Sequence, residues 1–237
     1  MLHNRLDQSA YSSSVQTQAT TIFLAKVFNW MAIGLGVTAL VAFVVASSQS
    51  AVQFFYANRV VFYGLIIAEF GLVIYLSARI EKLEAGTATA LFLLYSALNG
   101  MTLSLVLLLY TATSVATTFL VTAGMFGSMA VYGYVTKKDL SSWGSFLIMG
   151  LIGIILASLV NIFVQSSMMS WVISGIGVVV FTGLAAYDVQ QISRMGASAM
   201  TGSEGAVKKM AILGALTLYL DFINLFLMLL RFLGNRD

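Results

Sequence analysis

The 237-residue chain contains no cysteine, no proline and a single histidine, His3, in a polar first stretch. Without thiols there are no disulfides and no thiolate metal sites, and one remote histidine excludes Ser–His hydrolysis and histidine-ligated zinc. Without proline, a helix kink must come from glycine, from Ser or Thr bonding back to the helix, or from a π-bulge. Charge is scarce too: 9% of residues are charged against 59% hydrophobic, and the mean hydropathy is +0.94. That balance excludes a water-soluble domain. The net charge of +3 reflects loop lysines and arginines, so it gives no reason to infer nucleic-acid binding.

What remains is apolar runs. Residues Met1 to Thr20 are rich in Ser, Gln and Thr and read as a mobile polar leader, with a single membrane domain over 21–237. The first run, Ile22 to Ala46, is too long for a signal-peptide core. Six more follow: Val60 to Ala78, Thr87 to Tyr110, Thr113 to Val135, Trp143 to Val164, Ser170 to Ile192 and Met210 to Phe232. Each is continuously apolar over about 20 residues, the length of a membrane helix; barrel strands alternate over about 10. The sequence therefore predicts an all-α integral membrane protein of seven transmembrane helices. Six spans with a re-entrant last segment is the rival arrangement. The glycine pairs Gly34/Gly36, Gly124/Gly127, Gly150/Gly153 and Gly175/Gly177 offer small faces for helix packing. Trp30, Trp143 and Trp171 fall near span ends, as in interfacial belts. The 12 methionines read as packing rather than copper ligands.

Alternate loops differ in charge. Arg5, Lys26, Arg79, Lys82, Lys137, Lys138, Arg194, Lys208 and Lys209 lie on the side of the amino terminus, against Arg59, Arg231 and Arg236 opposite. The positive-inside bias puts the amino terminus in the cytoplasm and, with seven spans, the carboxyl terminus outside.

Three of the nine acidic residues fall inside apolar runs: Glu69 in the second, Asp188 in the sixth and Asp221 in the seventh. A carboxylate in hydrocarbon costs about 3 kcal/mol or more unless it is paired, hydrated or protonated, so each is a functional candidate. At 1.5 Å per residue, Asp188 sits about 9 Å before Arg194 and Asp221 about 18 Å after Lys209. Consecutive helices are often neighbours, so the two carboxyls are expected to meet, share a proton and titrate as a unit. On release of that proton the pair offers oxygens to a hard cation such as calcium. Thr217, Asp221 and Asn224 form one polar stripe on the seventh span, and Gln191 lies one turn from Asp188. Glu69, and Asn99, Thr102 and Ser104 from the third span, are further candidates for a pathway. Tyr187 and Tyr219 adjoin the aspartates in sequence but point to other helix faces.

The stretches A-Y-D-V-Q-Q-I from Ala186 and L-Y-L-D-F-I-N-L-F-L-M-L-L-R-F-L-G from Leu218 resemble the two signatures of the Bax-inhibitor-like family, also called transmembrane Bax inhibitor motif proteins. The K-K-D-L-S-S-W-G-S-F-L run from Lys137 and N-G-M-T-L from Asn99 add to the resemblance. It implies a seven-helix bundle with the last helix central, acting as a pH-sensitive calcium leak. Asp188 and Asp221 correspond to the family's proton and calcium sensor, where calcium binds transiently. Arg79 is the nearest match to an arginine that engages the pair in the closed state, although this chain reads A-R-I-E-K where the family often has a denser basic cluster. Likeness to bacterial members implies the inner membrane, with a membrane-anchored protease or another membrane protein as a partner, and a non-transporting regulator is the alternative reading. Intramembrane aspartyl proteases also carry aspartates on a sixth and seventh span, but with Gly-x-Gly-Asp at the second. Here Leu218, Tyr219 and Leu220 precede Asp221, so no enzyme is expected. The seventh span holds no lysine for a retinal Schiff base.

The absence of cysteine makes the topology directly testable. In intact spheroplasts, a membrane-impermeant maleimide is expected to label Ser166→Cys and not Lys138→Cys; the reverse pattern would invert the orientation.

Overall fold

The computed structural model describes the backbone of residues 2–199 and 202–235 and the side chains of 16–196 and 202–235. The helices are α1 (Leu2–Ser47), α2 (Gln49–Ala57), α3 (Arg59–Arg79), α4 (Ala85–Leu107), α5 (Ala112–Val135), α6 (Ser141–Val164), α7 (Ser167–Ala199) and α8 (Glu204–Leu233). All but α2 are long and apolar enough to cross a membrane, which makes seven spans and an integral membrane protein. The leader assigned to residues 1–20 falls mostly outside the described side chains; residues 16–20 continue α1.

Hydropathy marks the lipid-buried part of each helix and not its ends. α7 and α8 therefore run past the apolar stretches, because helical hydrogen bonds need no lipid around them. α8 begins at Glu204, where the Ser203 hydroxyl accepts from the Ala206 N–H at 3.3 Å. Between α6 and α7 the chain reverses at Gln165, whose φ of 53° is left-handed. The Asn161 side chain closes this turn, accepting from Ser166 N at 3.0 Å and donating to Ser170 Oγ at 2.7 Å. The short helix α2 has no counterpart among the expected spans; its nine residues are too few to cross.

Small residues set how closely helices approach, since lipid offers no hydrophobic drive between them. Gly34 and Thr38 on α1 face Ser96 and Gly100 on α4, both pairs at four-residue spacing: a Cβ on Gly100 would lie 2.6 Å from the Thr38 carbonyl oxygen. A Cβ on Gly133 of α5 would strike the Ala186 carbonyl of α7. Among the glycine pairs singled out from sequence, Gly34, Gly150 and Gly177 meet neighbours closely, whereas Gly36, Gly124, Gly127 and Gly153 face open space.

α8 is the central helix. It packs against α1, α4, α5 and α7, and 67% of its most apolar window is buried, against 11–39% in the other spans. Near its start Lys209 Nζ donates to the Glu81 carbonyl, at 2.8 Å, between α3 and α4. Beyond its end Asn235 accepts from Thr111 N at 3.1 Å and donates to Ser114 Oγ at 3.0 Å, between α4 and α5. Those two loops lie at opposite ends of α4, so α8 crosses completely and is not re-entrant.

Gly133 and Gly124 lie on the same helix, one in contact and one in open space. Gly133→Ala is expected to destabilise by about 1–3 kcal/mol through overpacking. Gly124→Ala should be neutral or stabilising by up to about 1 kcal/mol through helix propensity. Unfolding midpoints in detergent check both.

Candidate functional site

Asp188 projects from α7 and Asp221 from α8, and the two carboxyl groups adjoin each other. Asp221 is 6% exposed, and its Oδ2 is buried without a hydrogen-bond donor. Asp188 is half-buried. Local sequence makes the meeting possible: the buried Ala185 keeps α7 thin one turn before Asp188, and Leu218, Phe222 and Leu225 bury the faces of α8 beside Asp221.

No basic side chain is bonded to either aspartate among the described residues. The ion pair there joins Arg194 to Asp139 at 2.8 Å on the surface. Arg79 ends α3 exposed and makes no side-chain hydrogen bond or ion pair among the described residues, so the expected contact with the aspartates is not made in this arrangement. The reason is placement: α3 packs on α4 at the edge of the bundle, whereas the carboxyls lie between α7 and α8.

Most of the expected polar path resolves into local bonds. Thr217 and Asn224 donate to the carbonyls of Leu213 and Leu220, one turn back on their own helix, at 3.2 and 2.8 Å. Ser104 does the same to Met101 at 2.6 Å, and Gln191 donates to the Tyr187 hydroxyl at 3.0 Å rather than to Asp188. In an apolar helix the nearby backbone carbonyl is the cheapest acceptor, so Thr217 and Asn224 share a face with Asp221 without bonding to it.

Glu69, Asn99 and Thr102 do converge, but around Glu69. The Thr102 hydroxyl donates to Glu69 Oε1 and Asn99 Nδ2 to Oε2, the latter at 3.2 Å. Asn99 Oδ1 then accepts from the Tyr219 hydroxyl at 3.0 Å, and that hydroxyl shares a 2.6 Å bond with Thr38 Oγ1. The Ser96 carbonyl, 2.8 Å from Thr38 Oγ1, competes with the Tyr219 oxygen for the single Thr38 proton. Glu69 and Asn99 are 8% exposed, Thr38 4% and Tyr219 fully buried. This second cluster ties α3, α4, α8 and α1 together, and Tyr219 is its junction. Nothing in the sequence identifies Thr38 as its partner, because a threonine on an apolar helix looks like any other packing residue.

Gln190, 6% exposed, is a further residue that sequence reasoning passed over. Its amide donates to the Lys138 carbonyl and accepts from Leu140 N, both at 2.9 Å, fastening the α5–α6 loop two residues beyond Asp188. In that loop the Ser141 hydroxyl, the Arg194 guanidinium and the Ser141 N–H pull Asp139 down to about 2.

The family model described as "Inhibitor of apoptosis-promoting Bax1" matches residues 20–237. The chain belongs to this family. It is 56% identical over 214 residues to the inner membrane protein YbhL of Escherichia coli (strain K12), covering 90% of this chain and 92% of that one. An uncharacterized protein of Borreliella burgdorferi is 52% identical over 215 residues, and one of Deinococcus radiodurans 41% over 232, or 98% of both chains. In this family member the stretches around Asp188 and Asp221 lie on two adjacent helices, α7 and α8.

A lowered carboxylate pKa stabilises the fold above the ordinary value and loses that contribution as pH falls toward about 2. Asp139 thus stays charged from about pH 5 to 8. Arg194→Gln is expected to leave any pH-dependent change in tryptophan fluorescence within that range at the same midpoint. A displaced midpoint would make the loop part of the response.

Proposed function

We propose that the protein is a cation leak, with calcium as the permeant ion, gated by protonation of the Asp188–Asp221 pair in the bacterial inner membrane. The observation that carries this reading is the contact between two carboxyl groups inside the bundle, one oxygen of which has no donor. Two carboxylates about 3 Å apart in a low dielectric do not both stay ionised without a counter-cation. At low pH one shared proton bonds α7 to α8 and holds the bundle closed. As pH rises the proton leaves, the like charges repel, and the packing of α7 on α8 shifts toward an open arrangement. The ionised pair then presents carboxylate oxygens of the kind that hard divalent cations take. The gate rests on the aspartates themselves, and Arg79 would join them only after its exposed side chain had moved.

Hydrolysis is the weaker reading. An aspartyl protease must open backbone beside its second aspartate to a peptide substrate, but Asp221 lies within an unbroken 30-residue helix with Leu218 and Tyr219 buried around it. Similarity to an inner membrane protein of Escherichia coli supports the cellular location, and the loop charges support a cytoplasmic amino terminus.

The test is calcium entry into liposomes across a pH series. The parent chain is expected to leak more as pH rises, and Asp188→Asn and Asp221→Asn are expected to lose that dependence. Equal flux with equal pH response in all three proteins would end the proposal.

A further inference from the structure

Asp221 and Tyr219 are two residues apart on α8, about 200° around a helix of 3.6 residues per turn, so they point to opposite sides. Asp221 meets α7, while the Tyr219 hydroxyl is held between Asn99 of α4 at 3.0 Å and Thr38 of α1 at 2.6 Å. The ring beneath that hydroxyl is fully buried, with Phe92 and Tyr95 edge-on at centroid distances of 6.0 and 5.7 Å. The central helix is therefore gripped by polar contacts from both sides at one level. The grip on the Tyr219 side is built on a close helix approach, where Gly100 lies against the Thr38 backbone. Greasy contacts alone let a helix turn about its axis at small cost, whereas a buried hydroxyl bonded on two sides does not.

We propose that Tyr219 is a positioning residue for the aspartate pair: its bonds to Asn99 and Thr38 set the rotation of α8, and through it the separation of Asp221 from Asp188. The inference builds on the reading of that pair as a proton-binding unit. It assigns to the Glu69 cluster a role beyond helix adhesion, because Asn99 bonds both Glu69 and Tyr219. Among the described residues, the ionisable groups that act on Tyr219 are Tyr95 of α4 and Glu69 of α3, and those that act on the aspartates are each other. Among the described side chains, the remaining ionisable ones of α1 and α5, Lys26, Tyr132 and Tyr134, are exposed, and Tyr187 of α7 turns to Gly144 and Gln191.

The experiment is an infrared pH titration of the full chain in liposomes, following the protonated-carboxyl band that Asp188→Asn abolishes. Tyr219→Phe keeps the ring and deletes the hydroxyl; Thr38→Val keeps the volume and deletes the partner. Both are expected to move the titration midpoint of the pair by about half a pH unit or more, a change of about threefold in proton affinity. A role confined to stability would lower the unfolding temperature and leave the midpoint in place. Unmoved midpoints in both folded variants overturn the positioning role while leaving the paired aspartates intact. A parent protein with no carboxyl band sensitive to Asp188→Asn overturns the proton-binding pair itself, and the positioning role with it.

Discussion

A carboxyl group inside hydrocarbon has to find a donor, a proton or a counter-ion within the protein, at a cost of several kcal/mol if it finds none. Three such groups, Glu69, Asp188 and Asp221, govern the interior of this bundle. Two find each other between α7 and α8, and the third finds the amide and hydroxyl of Asn99 and Thr102 on α4. The helix that carries Asp221 is the most buried of the spans, whereas Glu69 finds its partners from a helix at the edge of the bundle.

The two solutions differ in what they leave open. Glu69 accepts from two neutral donors, and one of them, Asn99, in turn accepts from Tyr219, an arrangement that resists change. Among the described residues the aspartate pair has only its own members and a buried oxygen without a donor. A site of that kind is sensitive to the gain or loss of one proton, which is the property a gate requires. α8 lies between the two, with Tyr219 in one and Asp221 in the other.

Packing explains why these sites can form. Glycine, alanine and threonine draw α1 to α4 and α5 to α7 until backbones nearly touch. Side chains as short as threonine and aspartate then reach across the gap. The α5–α6 loop, fastened by Gln190, Arg194 and Asp139, braces α7 close to Asp188 with bonds that do not titrate near neutral pH.

Sequence by itself determined the class, the number and place of the spans, and the three carboxyls that need an explanation, because hydropathy and the cost of charge in lipid are local properties of the chain. The meeting of Asp188 with Asp221 could be anticipated from the adjacency of consecutive helices. What only the tertiary structure decided is which face of each helix turns to which neighbour. Thr217 and Asn224 share a stripe with Asp221 yet bond to their own backbone, whereas Thr38, Asn99 and Tyr219, from three separate helices, meet at one point. Helix rotation is set by the fit of small residues such as Gly100 and Gly133 against a partner's backbone, and that fit is a relation between distant segments that no window along the chain contains.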